Sequence, residues 1–565
     1  MSTTIAPHLV RLLNGLHGSP SEDIERSVTL LCSALEQGHV CLPPDALAEN
    51  TKAALRTSSV VGAPGEFRPL IIDSAGRLYL QRYWAHESRL AQALKSRASC
   101  PAPHNAKLLE QGIAQYIPDA DDAQRSAVTT AVTKRFTVIT GGPGTGKTYT
   151  ATVALVLLAT QFAAEGAPAR IAVAAPTGKA AARIGESLDA TLARFPLDEK
   201  VRALLPREAT TVHRLLGSRP GSPDFKYNTT NPLPLDLLIV DEGTMVDLPL
   251  MARMFDALPE SARVILLGDR DQLASVEAGH VLGDICAGLH DDHDGPLREN
   301  ICELLRNHRF GDDSSIHRLS RAIRAGDSPT VTTLLSSTAA DLSSWETGVD
   351  FAAQLAPRVL AGFRPFLEAE TPQDALAAFS RFRILTATRE GERSSQHLNQ
   401  LTERILGEAG LIHTSNRHYE GRPILVRRND YNLRLFNGDI GIIRRDPESG
   451  SLRAFFASED GTVRGISPSR LPEHETAYAM TVHKSQGSEF HRVLVILPQN
   501  DIPLLSRELI YTAVTRAREH VELWWNRASL DACLNRAVRR FSGLRDLLWL
   551  PRSWSIPLNK TPRTG

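Results

Sequence analysis

The stretch 137–150, TVITGGPGTGKTYT, constrains this chain more than any other. An apolar, β-branched run (Phe136, Val138, Ile139) meets a glycine-rich loop ending in Gly146-Lys147-Thr148, and a helix-forming sequence, 149–162, follows. Strand, loop and helix in that order are the setting that G-x-x-x-x-G-K-[ST] requires. Glycines let backbone N–H groups curl around phosphate oxygens, and the helix N-terminus adds the positive end of its dipole. Gly141, Gly142, Pro143, Gly144, Thr145 and Gly146 therefore read as a cradle for ATP. Lys147 reaches the β/γ-phosphates and the Thr148 hydroxyl ligates Mg2+.

The chain has 565 residues, enough for several domains. Lys plus Arg and Asp plus Glu number 64 each, so any nucleic-acid surface has to be a local patch. The six cysteines are scattered, with no C-x-x-C pair, which argues against a zinc or iron–sulfur centre and suits free thiols in a reducing cytoplasm. The N-terminus lacks a signal peptide's basic start and apolar core, and no apolar run reaches membrane-spanning length.

Residues 1–115 carry no catalytic constellation. Amphipathic helices are expected around 5–16 and 21–37, a β-hairpin over 70–80 turning at Asp73-Ser74-Ala75-Gly76, and a helix from Arg82 to about Arg97. Tyr79, Tyr83 and Trp84 suit either a core or a docking face. The prolines of 99–105 mark a linker.

Residues 116–335 read as one α/β domain. Gln124, just ahead of the first strand, has the donor and acceptor to read adenine's edge. The strand 169–175 leads into Pro176-Thr177-Gly178-Lys179, whose small residues and lysine suit a phosphate backbone crossing the sheet edge. His213 lies in a second basic, hydroxyl-bearing segment. The proline-rich stretch 217–236 breaks the α/β rhythm as a protruding hairpin or a plain surface loop. The apolar run 237–240 reads as a buried strand ending in two acids, Asp241, which can hold Mg2+, and Glu242, placed to activate the attacking water. Gln272 can sense the γ-phosphate. Arg309 is an arginine-finger candidate, or a surface ion pair.

Residues 336–375 read as helical, after which the α/β pattern restarts at 382–387. An all-β interruption spans 406–474, with Asn437-Gly438 as a type I′ hairpin signal. Its arginines, Tyr431 and Phe436 suit nucleic-acid contact or a solvated face equally. In AYAMTVHKSQGSEF, Thr481, His483 and Lys484 can bind phosphates, while Gln486, Gly487 and Glu489 can face the nucleotide. Arg516 is the second finger candidate.

These segments, in this order, resemble a superfamily 1 helicase. GGPGTGKTYT, APTGKAAARIGES, TVHRLLG, LLGDRDQLASVEAG, NGDIG and the region 84–87 resemble the RecD family, the α subunit of exodeoxyribonuclease V. The resemblance covers essentially the whole chain, and is weakest before residue 70 and after residue 550. One departure is Gly243-Thr244, where the family's acidic box usually continues Ala-Ser.

The resemblance implies an α/β fold with two RecA-like P-loop NTPase domains (116–335; 336–405 with 475–550) and ATP between them. The residue pattern itself adds a small SH3-like β-barrel insertion (406–474), a mainly helical N-terminal domain (1–115) expected to dock on a partner through its aromatic cluster, and a tail (551–565). Pro176, Thr177, Lys179, His213, Thr481, His483 and Lys484 would line a DNA track, with 217–236 as a strand-separating pin. The implied activity is 5′→3′ translocation on single-stranded DNA from duplex ends, for double-strand break repair by recombination. Helicase–nuclease and scaffold subunits, RecB-like and RecC-like, would complete a heterotrimer. The rival reading is a free-standing RecD-like helicase.

Overall fold

The computed structural model describes residues 5–550, apart from 167, 220, 223, 290–294, 310, 312, 349, 431 and 459–461. Tyr431, two prolines of the 217–236 stretch and the tail lie outside the described residues. Among those described, no helix is long and apolar enough to cross a membrane.

The phosphate-loop strand Phe136–Gly141 is interior to a six-stranded sheet. The order is Thr210–Thr211, Ile171–Ala175, Leu237–Val240, Arg263–Gly268, Phe136–Gly141, Ile301–Leu304, and every pair is parallel. Parallel strands buried on both faces need apolar residues throughout, and three of these six, Leu237–Val240, Arg263–Gly268 and Phe136–Gly141, are fully buried along their length. The helix Lys147–Glu165 starts at Gly146 and stops at Gly166, both in the left-handed region that a Cβ disfavours. It has no charged residue between Lys147 and Glu165 and is buried along most of its length.

A second parallel sheet runs Leu342–Glu346, Ala517–Trp525, Phe490–Ile496, Phe382–Thr386, Ala479–Thr481. Its edge strand Leu342–Glu346 corrects the expectation that 336–375 is helical. Only Leu342 of LSSWE is buried, so the segment has little apolar signal of its own. It is a strand because Ala517–Trp525 offers it a ladder.

The insertion is an antiparallel sheet of five strands, ordered Val463–Ile466, Leu452–Ala457, Ile440–Arg445, Pro423–Val426, His474–Thr476, around a core of Ile424, Val426, Leu435, Ile443 and Phe456. The expected type I′ turn at Asn437-Gly438 does not form. Gly438 has φ +99° but Asn437 does not adopt positive φ, and the Asp439 N–H donates to Phe436 O at 3.0 Å. A type I′ turn needs positive φ at both central residues. Here the turn sits at the end of a longer loop, 427–439, whose Phe436 ring packs on Gly178 of the first sheet's domain.

The N-terminal helices Ile5–His17 and Glu22–Glu36 pack with a small sheet that contains the expected hairpin, Leu70–Ile72 against Leu78–Leu80. The helix Gln81–Ser99 packs on Leu248–Asp256 and shares one core with the first sheet, so the chain is continuous in packing across residue 115. Tyr79 is buried in that core, and Tyr83 and Trp84 pack against it. The presumed linker is pinned too, through Ala102 N–H to Thr133 O at 2.8 Å.

Residues 537–549, grouped by sequence with the second sheet, leave it and cross the first domain and the N-terminal region as a strap. Val40 N–H donates to Phe541 O at 2.8 Å. Arg540 donates to Glu277 O and Gly279 O, and Arg77 pairs with Asp546 at 2.6 Å. Leu544, Leu548 and Trp549 are buried in the shared core. The stretch 217–236 folds back on itself, with Lys226 N–H donating to Gly217 O, and turns Phe225 and Tyr227 toward the core.

Candidate nucleotide-binding and catalytic site

The C-terminal edge of the first sheet opens into a cavity of about 360 Å3 whose far wall comes from the second sheet's domain. Loop, acids and arginines, separated by hundreds of residues in sequence, meet here. Gly141, Gly144 and Gly146 are at φ +159°, +82° and +84°. A Cβ at Gly144 would lie 2.5 Å from Arg309 Cβ, and one at Gly146 would lie 2.8 Å from Gln124 Nε2. Gly144 must therefore be glycine for packing as well as for backbone angle, whereas at Gly146 the Gln124 tip can give way and the backbone angle decides. Gln124 is buried at the loop's edge in the helix Asp122–Thr133 rather than in the cavity wall.

Lys147 Nζ donates to Gly141 O at 2.6 Å and Gly142 O at 3.0 Å. Burial lowers its ammonium, while Asp269, Glu242 and Asp241 pull the other way. Pro143, Thr148, Asp241, Glu242 and Gln272 share the cavity wall. Burial, and then the Glu242 charge, push the Asp241 carboxyl up. Glu242 sits at φ +52°, a conformation that costs a non-glycine residue energy and turns the chain sharply at the strand end. The Thr244 hydroxyl donates to Asp269 O at 3.1 Å and accepts from Asp269 N–H at 3.2 Å. The unusual Gly243-Thr244 pair thus ties the acidic box to the next strand.

Asp269 is a residue that motif reading missed. It lies in the cavity wall, accepts from Gln272 Nε2 at 3.0 Å, and accepts from the Tyr511 hydroxyl of the second domain at 2.9 Å. Burial raises its carboxyl despite Lys147. Two further bonds cross the cleft beside it. Thr512 Oγ1 accepts from Leu273 N–H at 3.0 Å, and Gln486 Nε2 donates to Leu273 O at 2.8 Å. Gln486 thus reaches the segment after Gln272 rather than the cavity, and Gly487 packs on Ala180.

Arg309 sits at the end of a segment docked on the phosphate loop. His308 N–H donates to Gly144 O, and Asn307 Nδ2 donates to Pro143 O at 2.9 Å. It therefore belongs to the first domain's side of the cleft. Arg516 is 2% exposed, lines the cavity and donates to Thr512 O and Ser488 O. Between them lies Glu489. Its Oε1 accepts from Arg309 Nη2 at 2.7 Å and also pairs with Arg183, and its Oε2 accepts from Arg518 Nε at 3.0 Å. Burial alone would raise this carboxyl, but Arg183 and Arg309 hold it well below the carboxylate range. Arg183 is the second residue that motif reading missed. Ala180, Arg183, Ile184 and Ser187 line the cavity at i, i+3, i+4 and i+7 of the helix Gly178–Leu192, a spacing visible in the sequence.

The expected DNA-track residues do not form one uniform strip. The Thr177 side chain caps its helix, accepting from Ala180 N–H at 3.2 Å, with Pro176 just ahead of it. Lys179 is pushed down to about 8 by burial and then by Arg383, with Asp439 opposing. It lies under the insertion's loop. Thr481 Oγ1 accepts from Lys484 N–H, and Lys484 pairs with Glu475. Burial and then Arg540 of the strap lower His483. His213 is exposed, its ring 5.9 Å from Phe225 on the 217–236 excursion.

Residues 124–278 match the model of an AAA domain, and residues 476–523 match a UvrD-like helicase C-terminal domain. The chain is 37% identical to the RecBCD enzyme subunit RecD of Mycolicibacterium smegmatis, over 96% of this chain and 96% of that one. The chain belongs to the RecD family. The RecD of Mycobacterium tuberculosis is 38% identical over 95% of this chain and 93% of its own. The ATP-dependent RecD2 DNA helicase of Deinococcus radiodurans is 30% identical, over 79% of this chain and 54% of its own length. A crystal structure of Bacteroides Pif1 bound to ssDNA covers 76% of this RecD-family chain and 94% of its own, at 16% identity and a TM-score of 0.40, too distant to add to the assignment.

Proposed function

We propose that this chain is an ATP-driven 5′→3′ DNA helicase, the motor subunit of a helicase–nuclease complex with RecB-like and RecC-like partners. One observation carries the reading. A glycine-rich loop, an acidic pair and the arginines Arg309 and Arg516 line a single cavity whose walls come from two separate parallel sheets. A cavity divided in this way couples what happens to a nucleotide to the distance between two bodies.

In this reading Lys147 exchanges the carbonyls of Gly141 and Gly142 for β/γ-phosphate oxygens. The residues present suit Mg2+, which binds through one or two protein oxygens plus substrate phosphates rather than in an all-protein cage. Thr148 and Asp241 would hold it, and it would neutralise charge on the phosphates. Glu242 takes the proton of the attacking water, and Gln272, steadied by Asp269, orients that water. Arg309 and Arg516 meet the charge that develops in the transition state. Asp269–Tyr511, Leu273–Thr512 and Leu273–Gln486 then link the nucleotide to the second sheet. Thr177, Lys179, Thr481 and Lys484 would grip DNA alternately as the cleft changes.

The RecD2-like alternative is disfavoured by the near end-to-end match to two RecD subunits at 37% and 38% identity. Purification of the chain from its native cells tests both halves. Stoichiometric helicase–nuclease partners should accompany it. Its own motor should unwind a partial duplex from a 5′ single-stranded overhang and not from a 3′ one. A preference for the 3′ overhang overturns the polarity, and a chain without partners overturns the subunit role.

A further inference from the structure

We propose that Arg183 is a further ligand for the terminal phosphates of the bound triphosphate, held until nucleotide enters by Glu489, which stands where a phosphate oxygen will be. The inference rests on the nucleotide reading of the cleft and adds a residue and an exchange step to it.

Arg183 and Arg309 both come from the first domain and both line the cavity. One oxygen of Glu489, from the second domain, accepts from both guanidinium groups. A single anionic oxygen shared by two arginines beside a phosphate loop is the arrangement that a phosphate oxygen would occupy, because guanidinium binds carboxylate and phosphate with the same fork of donors. Arg183 also feels the charges of Glu242 and Asp241, which places it on the reacting side of the cavity. The glutamate side chain is 5% exposed, while its two first-domain partners are partly open to solvent.

The other oxygen makes the exchange inexpensive. Glu489 Oε2 pairs with Arg518 of its own domain at 3.0 Å. When a triphosphate takes Arg183 and Arg309, Glu489 keeps that partner and is not left as an unpaired buried charge, which would be costly. The pairs from Glu489 to Arg183 and Arg309 are thereby replaced by bonds from those two arginines to nucleotide.

Binding of a non-hydrolysable fluorescent ATP analogue and of ADP to the full chain tests this with two variants. Arg183→Ala should weaken the analogue about tenfold or more, the scale of one charge-assisted hydrogen bond, and ADP much less. Glu489→Gln breaks the same ion pair but leaves Arg183 free for phosphate, so it should bind the analogue at least as tightly as the wild type. Parallel weakening in both variants would mean that the pair only holds the cleft together, and overturns the proposal. So does unchanged binding in Arg183→Ala while the wild type binds. A wild-type chain that binds no analogue overturns the nucleotide reading itself.

Discussion

Two joints hold the halves of this molecule together, and they are built from different materials. At the cleft the contacts are charged or polar: Glu489 with Arg183 and Arg309, Asp269 with Tyr511, Leu273 with Thr512 and Gln486. At the strap apolar burial and bonds to the strap's backbone dominate, with one ion pair, Arg77 to Asp546, at its edge. Leu544 and Leu548 are 0% exposed, and the Gly543 N–H donates to both oxygens of Glu87 at 3.0 and 3.1 Å. Trp549 Nε1 donates to Asp284 O at 3.1 Å. In the proposed exchange the two arginines that Glu489 holds find a substitute acceptor in a triphosphate oxygen, so that pair is exchanged at little cost. The strap has no such substitute. Opening it would expose apolar surface and strand buried donors, each worth about 1–3 kcal/mol. The cleft is therefore the joint suited to open and close in a cycle, and the strap the joint suited to stay shut.

Breaking the cleft's chemistry should abolish turnover and spare the fold. Lys147→Gln should lower DNA-stimulated ATP hydrolysis at least about a hundredfold, the scale of losing a preorganised transition-state charge. Its melting temperature should stay near the wild type. Hydrolysis close to wild type would mean that this cleft is not the motor.

A finer cut separates binding from catalysis within the cleft. Arg516→Ala should lower kcat by up to about a hundredfold while nucleotide affinity changes far less, because its charge is proposed to act in the transition state, whereas Arg309→Ala should lose rate and some affinity together, because Arg309 also meets the bound phosphate. Affinity lost in proportion to rate would make Arg516 a ground-state ligand, like Arg183.

The smallest expected effect sharpens the strap side. Burial pushes the Glu87 carboxyl up to about 7 from an ordinary 4.5, with Ser542, Arg77, Gly543 and Tyr79 only partly offsetting it. The folded protein thus holds this proton more tightly than the unfolded chain. Its contribution to stability is full below about 4.5 and is lost as pH rises to about 7. Asp284, raised to about 8 beside the same strap, has the same sign. Glu87→Gln should flatten the fall in melting temperature between mildly acidic and mildly alkaline pH by about 2 °C or more, with ATP hydrolysis unaltered. An unchanged pH profile would show that Glu87 is not ionising beneath the strap.

The sequence by itself determined the parts that are contiguous in the chain. The loop 141–148, the pair Asp241-Glu242, Gln272, Arg309 and Arg516 each announce themselves within about ten residues. In each, a strand end or helix start and the side chain it presents are specified together by local backbone preference and hydrophobic period. Arg183 was legible in principle, through the helical spacing of Ala180, Arg183, Ile184 and Ser187. Only the tertiary structure reveals what that face meets, because the facing carboxylate of Glu489 is about three hundred residues away.

The rest was decided by long-range pairing alone. Leu342–Glu346 is a strand because a ladder was available, with little apolar pattern of its own. Gln486 reads as a nucleotide contact in its motif, yet turns to Leu273 O because a buried amide takes the partner that closure brings to it. Residues 537–549 look like the end of the second domain, and became a strap over the first. Which distant segments converge depends on the total apolar area and buried hydrogen bonds that their meeting satisfies, set against the entropy of closing the chain between them. Neither quantity is a property of any local stretch of sequence.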